Sequence, residues 1–287
     1  MVHYNPKEWI TFIFRFHKSD TFRKLIPMMI LISGYTGLIA FLEIEWWKLG
    51  ETSHAKNLNL LHTTVGFVLS LLLAYRTNTA YDRWWEGRKQ WGTLVNSCRN
   101  LAIKLSCFLS DQNDKLFFKK LIPTYAKVLS NHLMNEEVSL TLLEGLNLEI
   151  DHHKHKPNQV ASIIYHKTSQ LHIQGKLSGE QLIILNNELQ SFTEICGACE
   201  RIKNTPIPYS YNAFIKKFIF FFVMTLPFGF AFSLGYFAIP VVVFIFYVLA
   251  SLELIAEEIE DPFGGDANDL PLHQISNNID KHINELL

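Results

Sequence analysis

Over 287 residues, 26 Lys plus Arg stand against 27 Asp plus Glu, giving a formal net charge of -1 and a pI near 6.9. This balance excludes the basic excess of a nucleic-acid binder and the acidic excess of a disordered tail. The four cysteines, Cys98, Cys107, Cys196 and Cys199, are too few and too scattered for a disulfide-stapled secreted module. Mean hydropathy is only +0.10, yet the apolar residues gather into blocks at 25–42, 60–75 and 218–252, while the middle of the chain reads as an ordinary helical protein. That pattern predicts a membrane protein with a large aqueous part.

In chain order, the first block is LIPMMILISGYTGLIAFL, Leu25 to Leu42, long enough for a membrane span, with Trp46 and Trp47 suited to the water boundary after it. No apolar core precedes it as in a signal peptide, so the span is expected to stay in the mature protein. The second block, Leu60 to Tyr75, carries no formal charge but is short, and His62, Thr63 and Thr64 make its beginning polar. Gly66, Ser70 and Ala74 form a row of small residues on one side of a helix, and Phe67, Leu71 and Tyr75 form the adjoining bulky row. Copies packed by their small faces around an axis turn the bulky row inward as an apolar constriction. A helix buried among its neighbours fits the same spacing, and pattern alone favours it.

The next stretch is RTNTAYDRWWEGRKQWG, Arg76 to Gly92, with no proline and a first glycine only at Gly87, so the helix is predicted to continue. Tyr81, Trp84, Arg88 and Trp91 share a face suited to an interfacial packing seam. Arg76 and Arg83 mark the aqueous side, and Asp82 and Glu86 stand ready to pair with basic residues. Further on, NLAIKLSCFL, FFKKLIPTYAKVLSNHL and QLIILNNELQSF repeat apolar residues at helical spacing, and DHHKHKPN, Asp151 to Asn158, is a polar break. Ser178 followed by Gln181 is a capping box that starts a helix. From Phe218 no charge occurs until Glu253, enough for two spans, with Gly235 and Pro240 bracketing the turn.

Arg15, Lys18, Arg23 and Lys24 precede the first span, Arg76, Arg83, Arg88 and Lys89 follow the second, and Lys216 and Lys217 precede the third. The opposite loops hold only Lys48 and Lys56. The positive-inside rule then puts both termini and the central segment in the cytoplasm. The resulting division is a cytosolic segment 1–24, two spans within 25–75, a helical cytosolic region 76–217 entered by the second-span helix, two more spans in 218–252, and a cytosolic segment 253–287.

Candidate chemistry is sparse. Cys196 and Cys199 form a CxxC without a second half-site, which favours small packing residues over zinc. His152, His153 and His155 offer metal ligands but read more simply as a solvated loop. Glu257, Glu258, Glu260 and Asp261 read as the exit of a span into water rather than as catalytic carboxylates. No nucleophile elbow, phosphate loop or HExxH occurs. No enzyme, cofactor or metal centre is expected.

RTNTAYDRWWEGRKQWG after a membrane helix, then GKLSGEQL, CERIKNTPIPYSY and LIAEEIEDPFGGDANDLPL in this order, resemble the bestrophin family in its bacterial branch across nearly the whole chain. The resemblance implies an all-α membrane protein with four transmembrane helices and a large helical cytosolic region. Five subunits would surround one central pore in the bacterial inner membrane, passing small monovalent ions. It also implies a hydrophobic neck on the second span, which falls on Phe67, Leu71 and Tyr75, the last of these departing from a purely apolar pattern. A second constriction at the cytosolic exit falls on Glu180, where a ring of carboxylates leans toward cations although chloride is the family's usual ion. The calcium-binding acidic cluster of animal members reduces here to Asp266 and Asp269, few ligands for an ion that takes six to eight oxygens. The alternative to a channel is a non-conducting, membrane-anchored helical scaffold or sensor.

Overall fold

The computed structural model describes residues 21–47, 58–137, 151 and 153–287. Arg15, Lys18, Lys48, Lys56 and His152, which entered the sequence reading, lie outside the described residues. Helices are the only regular structure among the described residues: α1 (Thr21–Phe41), α2 (Leu58–Phe108), α3 (Gln112–Leu133), α4 (Lys156–Ile173), α5 (Gly179–Asn204), α6 (Tyr209–Leu234), α7 (Ala238–Glu260) and α8 (Leu272–Leu286). A π-helical turn, Leu42–Trp46, extends α1.

Helix α2 runs unbroken for 51 residues, about 77 Å at 1.5 Å per residue. It contains no proline, and its mid-helix Gly87 has a packing reason. A Cβ there would stand 3.1 Å from Phe263 Cζ and Pro262 Cγ, so any side chain would crowd the 262–263 turn where it presses on the helix. The predicted continuation of the second span through RTNTAYDRWWEGRKQWG is therefore observed.

By internal contacts the chain forms two units, with Arg83–Pro206 and Asp261–Leu287 in one, and the described residues up to Asp82 with Ile207–Glu260 in the other. In the second, apolar unit, Leu25, Ile32, Leu69, Leu73, Ile215, Phe222, Leu226, Val242 and Phe246 interlock between α1, α2, α6 and α7. Gly235, at φ +58°, lets α6 end and α7 begin within one 3₁₀ turn. Ala40, Ala231 and Ala238 pack there without bulk. Thr21–Trp46, Leu60–Phe108 and Tyr209–Glu260 are long and apolar enough to cross a membrane, and the last of them folds back at Gly235 into two helices. Ile30, Leu31, Phe221 and Phe244 are exposed on this unit, as side chains facing hydrocarbon would be. Trp46 and Trp47 are also exposed.

The other, polar unit packs the rest of α2 with α3, α4, α5 and α8 around Trp91, Phe118, Tyr125, Phe192 and Phe263. The Tyr125 hydroxyl donates to the Phe192 carbonyl at 2.5 Å, which satisfies its one polar atom inside the core. Helix α8 buries Leu272, Ile279 and Ile283 on one face, the spacing of an amphipathic helix, and Lys127 pairs with Asp280. Ser178 starts α5 with the capping box foreseen, its hydroxyl accepting from the Gln181 N–H and its own N–H donating to the Gln181 side chain. Cys196 and Cys199 are buried on α5, and burial pushes each thiol up to about 12. They sit there as small core residues.

Candidate functional site: an exposed apolar row and its anchors

Along the first turns of α2 the two faces of the helix differ sharply. Leu69 and Leu73 are wholly buried, whereas Phe67, Leu71 and Tyr75 are 69%, 47% and 60% exposed. The bulky row therefore fills no gap within its own chain, contrary to the buried-helix reading that pattern alone favoured. In the adjoining row, Gly66 admits Phe222, whose Cζ would lie 3.2 Å from an added Cβ, while Ser70 and Ala74 are open. The hydroxyls of Thr64, Ser70, Thr77 and Thr79 donate back to carbonyls three or four residues earlier. Each is satisfied inside the helix and needs no partner from outside.

Arg76 is not a solvated boundary residue: it is fully buried, its Nη2 2.7 Å from Glu260 Oε2 and its Nε 3.6 Å from Glu253 Oε2. Glu260 also accepts the Ile207 N–H at 2.7 Å and the Asn212 amide at 3.4 Å. The acidic run ending α7 is thus not simply an exit into water, since Lys24 pairs with Glu258 and Lys216 with Glu257 as well. The sequence held a usable signal for this hub: Glu253 and Glu260 are seven apart, on one side of a helix.

Within the polar unit, Arg83 donates to the carbonyls of Ile202 and Thr205, both at 2.5 Å. It thereby occupies acceptors at the end of α5 that the helix cannot fill itself. Trp91 is buried and Trp84 donates its indole N–H to the Asn268 carbonyl at 3.1 Å. Tyr81 and Arg88, placed on the same face by the sequence, are exposed instead. Glu86 pairs with Lys89 and accepts from Gln90 on its own helix.

Glu180 is exposed in the first turn of α5, its Oε2 accepting the Ser178 hydroxyl at 2.7 Å. That hydrogen bond, with one from its own backbone N–H, holds its carboxyl below the usual range. Asp266 and Asp269 share the turn before α8. Asp269 is buried, with Oδ2 accepting the Asp266 N–H at 2.5 Å and Oδ1 without a hydrogen-bond partner among the described residues. Burial, reinforced by the Asp266 and Asp261 charges, pushes its carboxyl up to about 6. Asp261 lies beside Asp269: a Cβ on Gly264 would be 3.2 Å from a carboxylate oxygen of each. An oxygen-only set with one orphaned buried oxygen fits a hard divalent cation in donor type.

The sequence matches the family described as Bacterial/Fungal Bestrophin protein over residues 1–285. It is 36% identical over 228 residues to a voltage-dependent anion channel-forming protein of Nostoc sp., covering 76% of this chain and 74% of that one. It is 30% identical over 279 residues to a protein of the same description, YneE, in Escherichia coli, covering 96% and 90%. The fold superimposes on a point mutant of a bacterial bestrophin homolog from Klebsiella pneumoniae with a TM-score of 0.82 at 27% identity, covering 92% of this chain and 98% of that one. The chain is a membrane protein of the bacterial and fungal bestrophin family.

Proposed function

We propose that the chain is one subunit of a homopentameric channel in the bacterial inner membrane. In this reading α1, the start of α2, α6 and α7 are its four spans, and both termini and the polar unit are cytoplasmic. The observation that carries it is the row Phe67, Leu71 and Tyr75: large apolar side chains, four residues apart, uncovered by their own chain while Leu69 and Leu73 are buried. Neighbouring copies meeting along Ser70 and Ala74 bring this row to a common axis, where a narrow apolar ring controls conduction by wetting and dewetting. The Tyr75 hydroxyl eases wetting at the inner end. The Arg76 hub, one residue further on, fixes the rotation of the helix that carries the ring.

The permeant ions in this reading are small monovalent anions, as the names of the relatives say of those proteins. A second reading, cation permeation, rests on the exposed carboxylate of Glu180, which repeated fivefold at an exit would attract cations. Its N-terminal helix position and its hydrogen bond to Ser178 compensate part of that charge. Calcium at the 261–269 turn would draw on Asp269 and Asp266, with Asp261 beside them, and would supply positive charge that lets Asp269 ionise.

Reversal potentials of the purified protein in bilayers under a salt gradient, for the parent and Glu180→Gln, test the assignment. An anion-directed potential that survives the substitution supports the first reading. A cation-directed potential that weakens in Glu180→Gln replaces it with the second. Absence of current in every salt leaves the non-conducting scaffold or sensor.

A further inference from the structure

Three side chains with no part in the pore reading meet inside the polar unit. His132 ends α3, His155 is the N-cap of α4, and Glu200 lies near the end of α5. The Nε2 atoms of His132 and His155 lie 2.7 Å and 2.6 Å from one and the same oxygen, Glu200 Oε1. The two rings meet edge to face with centroids 4.7 Å apart, and all three residues are half-buried. This corrects the view of 152–155 as a solvated histidine loop: His155 is folded against two other elements. The partners are 45 and 68 residues apart, so no short-range spacing announces them.

Two imidazole nitrogens and a carboxylate converging on one point form the donor set of an open zinc-type site, in which three protein ligands leave a fourth position for water. Ligand atoms around a tetrahedral ion with bonds of about 2.0–2.1 Å stand roughly 3.3 Å apart, so the two nitrogen–oxygen contacts here need to open by only about 0.6–0.7 Å. Nitrogen donors favour zinc and its transition-metal neighbours over calcium or magnesium. His132 and His155 line a cavity of about 540 Å³ with Asn131, Glu136, His153 and Lys154, and the side chains of His132, His155 and Glu200 are 31%, 33% and 29% exposed.

We propose that His132, His155 and Glu200 form a binding site for a divalent transition metal of the zinc class. One local bond opposes it. His155 Nδ1 accepts the Asn158 N–H at 3.2 Å, and ligation through Nε2 moves the ring proton to Nδ1, so this cap bond is given up. A single cap bond is small beside three metal–ligand bonds. Lys203, on the turn after Glu200, adds a cation nearby, but its ammonium is directed at the His132 carbonyl and Asn135 Oδ1, at 3.2 Å and 2.6 Å.

The test uses the full chain in detergent, stripped by a chelator and carrying Cys107→Ser, because Cys107 is an exposed competing thiol. Zinc chloride is titrated calorimetrically, with cobalt(II) visible bands as a second readout. The parent is expected to bind zinc saturably, and His132→Ala and Glu200→Gln each to weaken binding by at least about tenfold. His155→Asn keeps a capping acceptor while removing the ligand nitrogen, so it weakens zinc equally with unchanged helix content. His166→Ala, at an exposed histidine outside the cluster, leaves affinity as in the parent. No zinc uptake by the parent, or affinity unchanged in all three ligand variants, overturns the site.

Discussion

Replacing Arg76 by methionine tests whether the buried hub holds the apolar unit together. The side chain is wholly buried and faces Glu260 at 2.7 Å and Glu253 at 3.6 Å, both carboxylates themselves buried. Methionine keeps most of the volume but removes the guanidinium that both carboxylates face. Breaking a buried pair from one side costs about 3–5 kcal/mol, because the remaining charge is left uncompensated. Glu260→Gln should cost less, since a glutamine carbonyl still accepts the Ile207 N–H. The double variant should then be less destabilised than the sum of the two, by about 0.5–3 kcal/mol of coupling. Arg76→Lys should fall between, retaining charge without the forked geometry. Unfolding by denaturant in detergent micelles, followed by tryptophan fluorescence, measures all four. An Arg76→Met protein within about 0.5 kcal/mol of the parent, the range of surface substitutions, or strictly additive singles, would refute the reasoning.

Other expectations concern the row, the aspartates and the helix start. Leu71→Ala should raise or deregulate ion flux while leaving the oligomer intact on size-exclusion chromatography; unchanged conductance would mean that the row faces lipid or protein. Asp269 is raised to about 6 when folded, so the folded state holds its proton more tightly than the unfolded chain. Its contribution is fully present below the ordinary carboxylate pKa and is lost as pH rises toward 6, by about 2–3 kcal/mol at most. Asp269→Asn should therefore flatten the fall in stability between about pH 4 and 6, read from melting temperatures across that window. Calcium that stabilises the parent at neutral pH but not this variant would identify the turn as a cation site. Ser178→Ala should cost about 1 kcal/mol at the start of α5, seen as faster amide exchange over residues 179–182.

The helices and their limits were readable because their causes are local. The uncharged run before Arg76, the absence of proline through Trp91 and the Ser178–Gln181 cap each depend on neighbours a few residues away, and each appears in the structure as read. The exposed row was half legible: spacing put Phe67, Leu71 and Tyr75 on one line, but only the packing of Leu69 and Leu73 shows which line its own chain covers. Arg76 was misread because an arginine at the end of an apolar run usually meets water, and its partners are 177 and 184 positions later. The His132, His155 and Glu200 cluster was illegible for the same reason. Pairings across such separations are fixed by how helices pack, which periodicity within one helix does not encode.

The unbroken course of α2 has a consequence for how its sequence can change. Each residue removed from a helix turns everything beyond it by about 100° and draws it in by 1.5 Å. A single deletion between Tyr75 and Trp91 would thus swing the buried face of Trp91 out of phase with the row at Phe67, with no loop in between to absorb the error. Substitutions can accumulate along this rod, but its length cannot drift. Insertions and deletions are instead expected where the described chain leaves regular structure, such as the 174–178 turn between α4 and α5, so the helical interval from Phe67 to Trp91 is expected to keep its length.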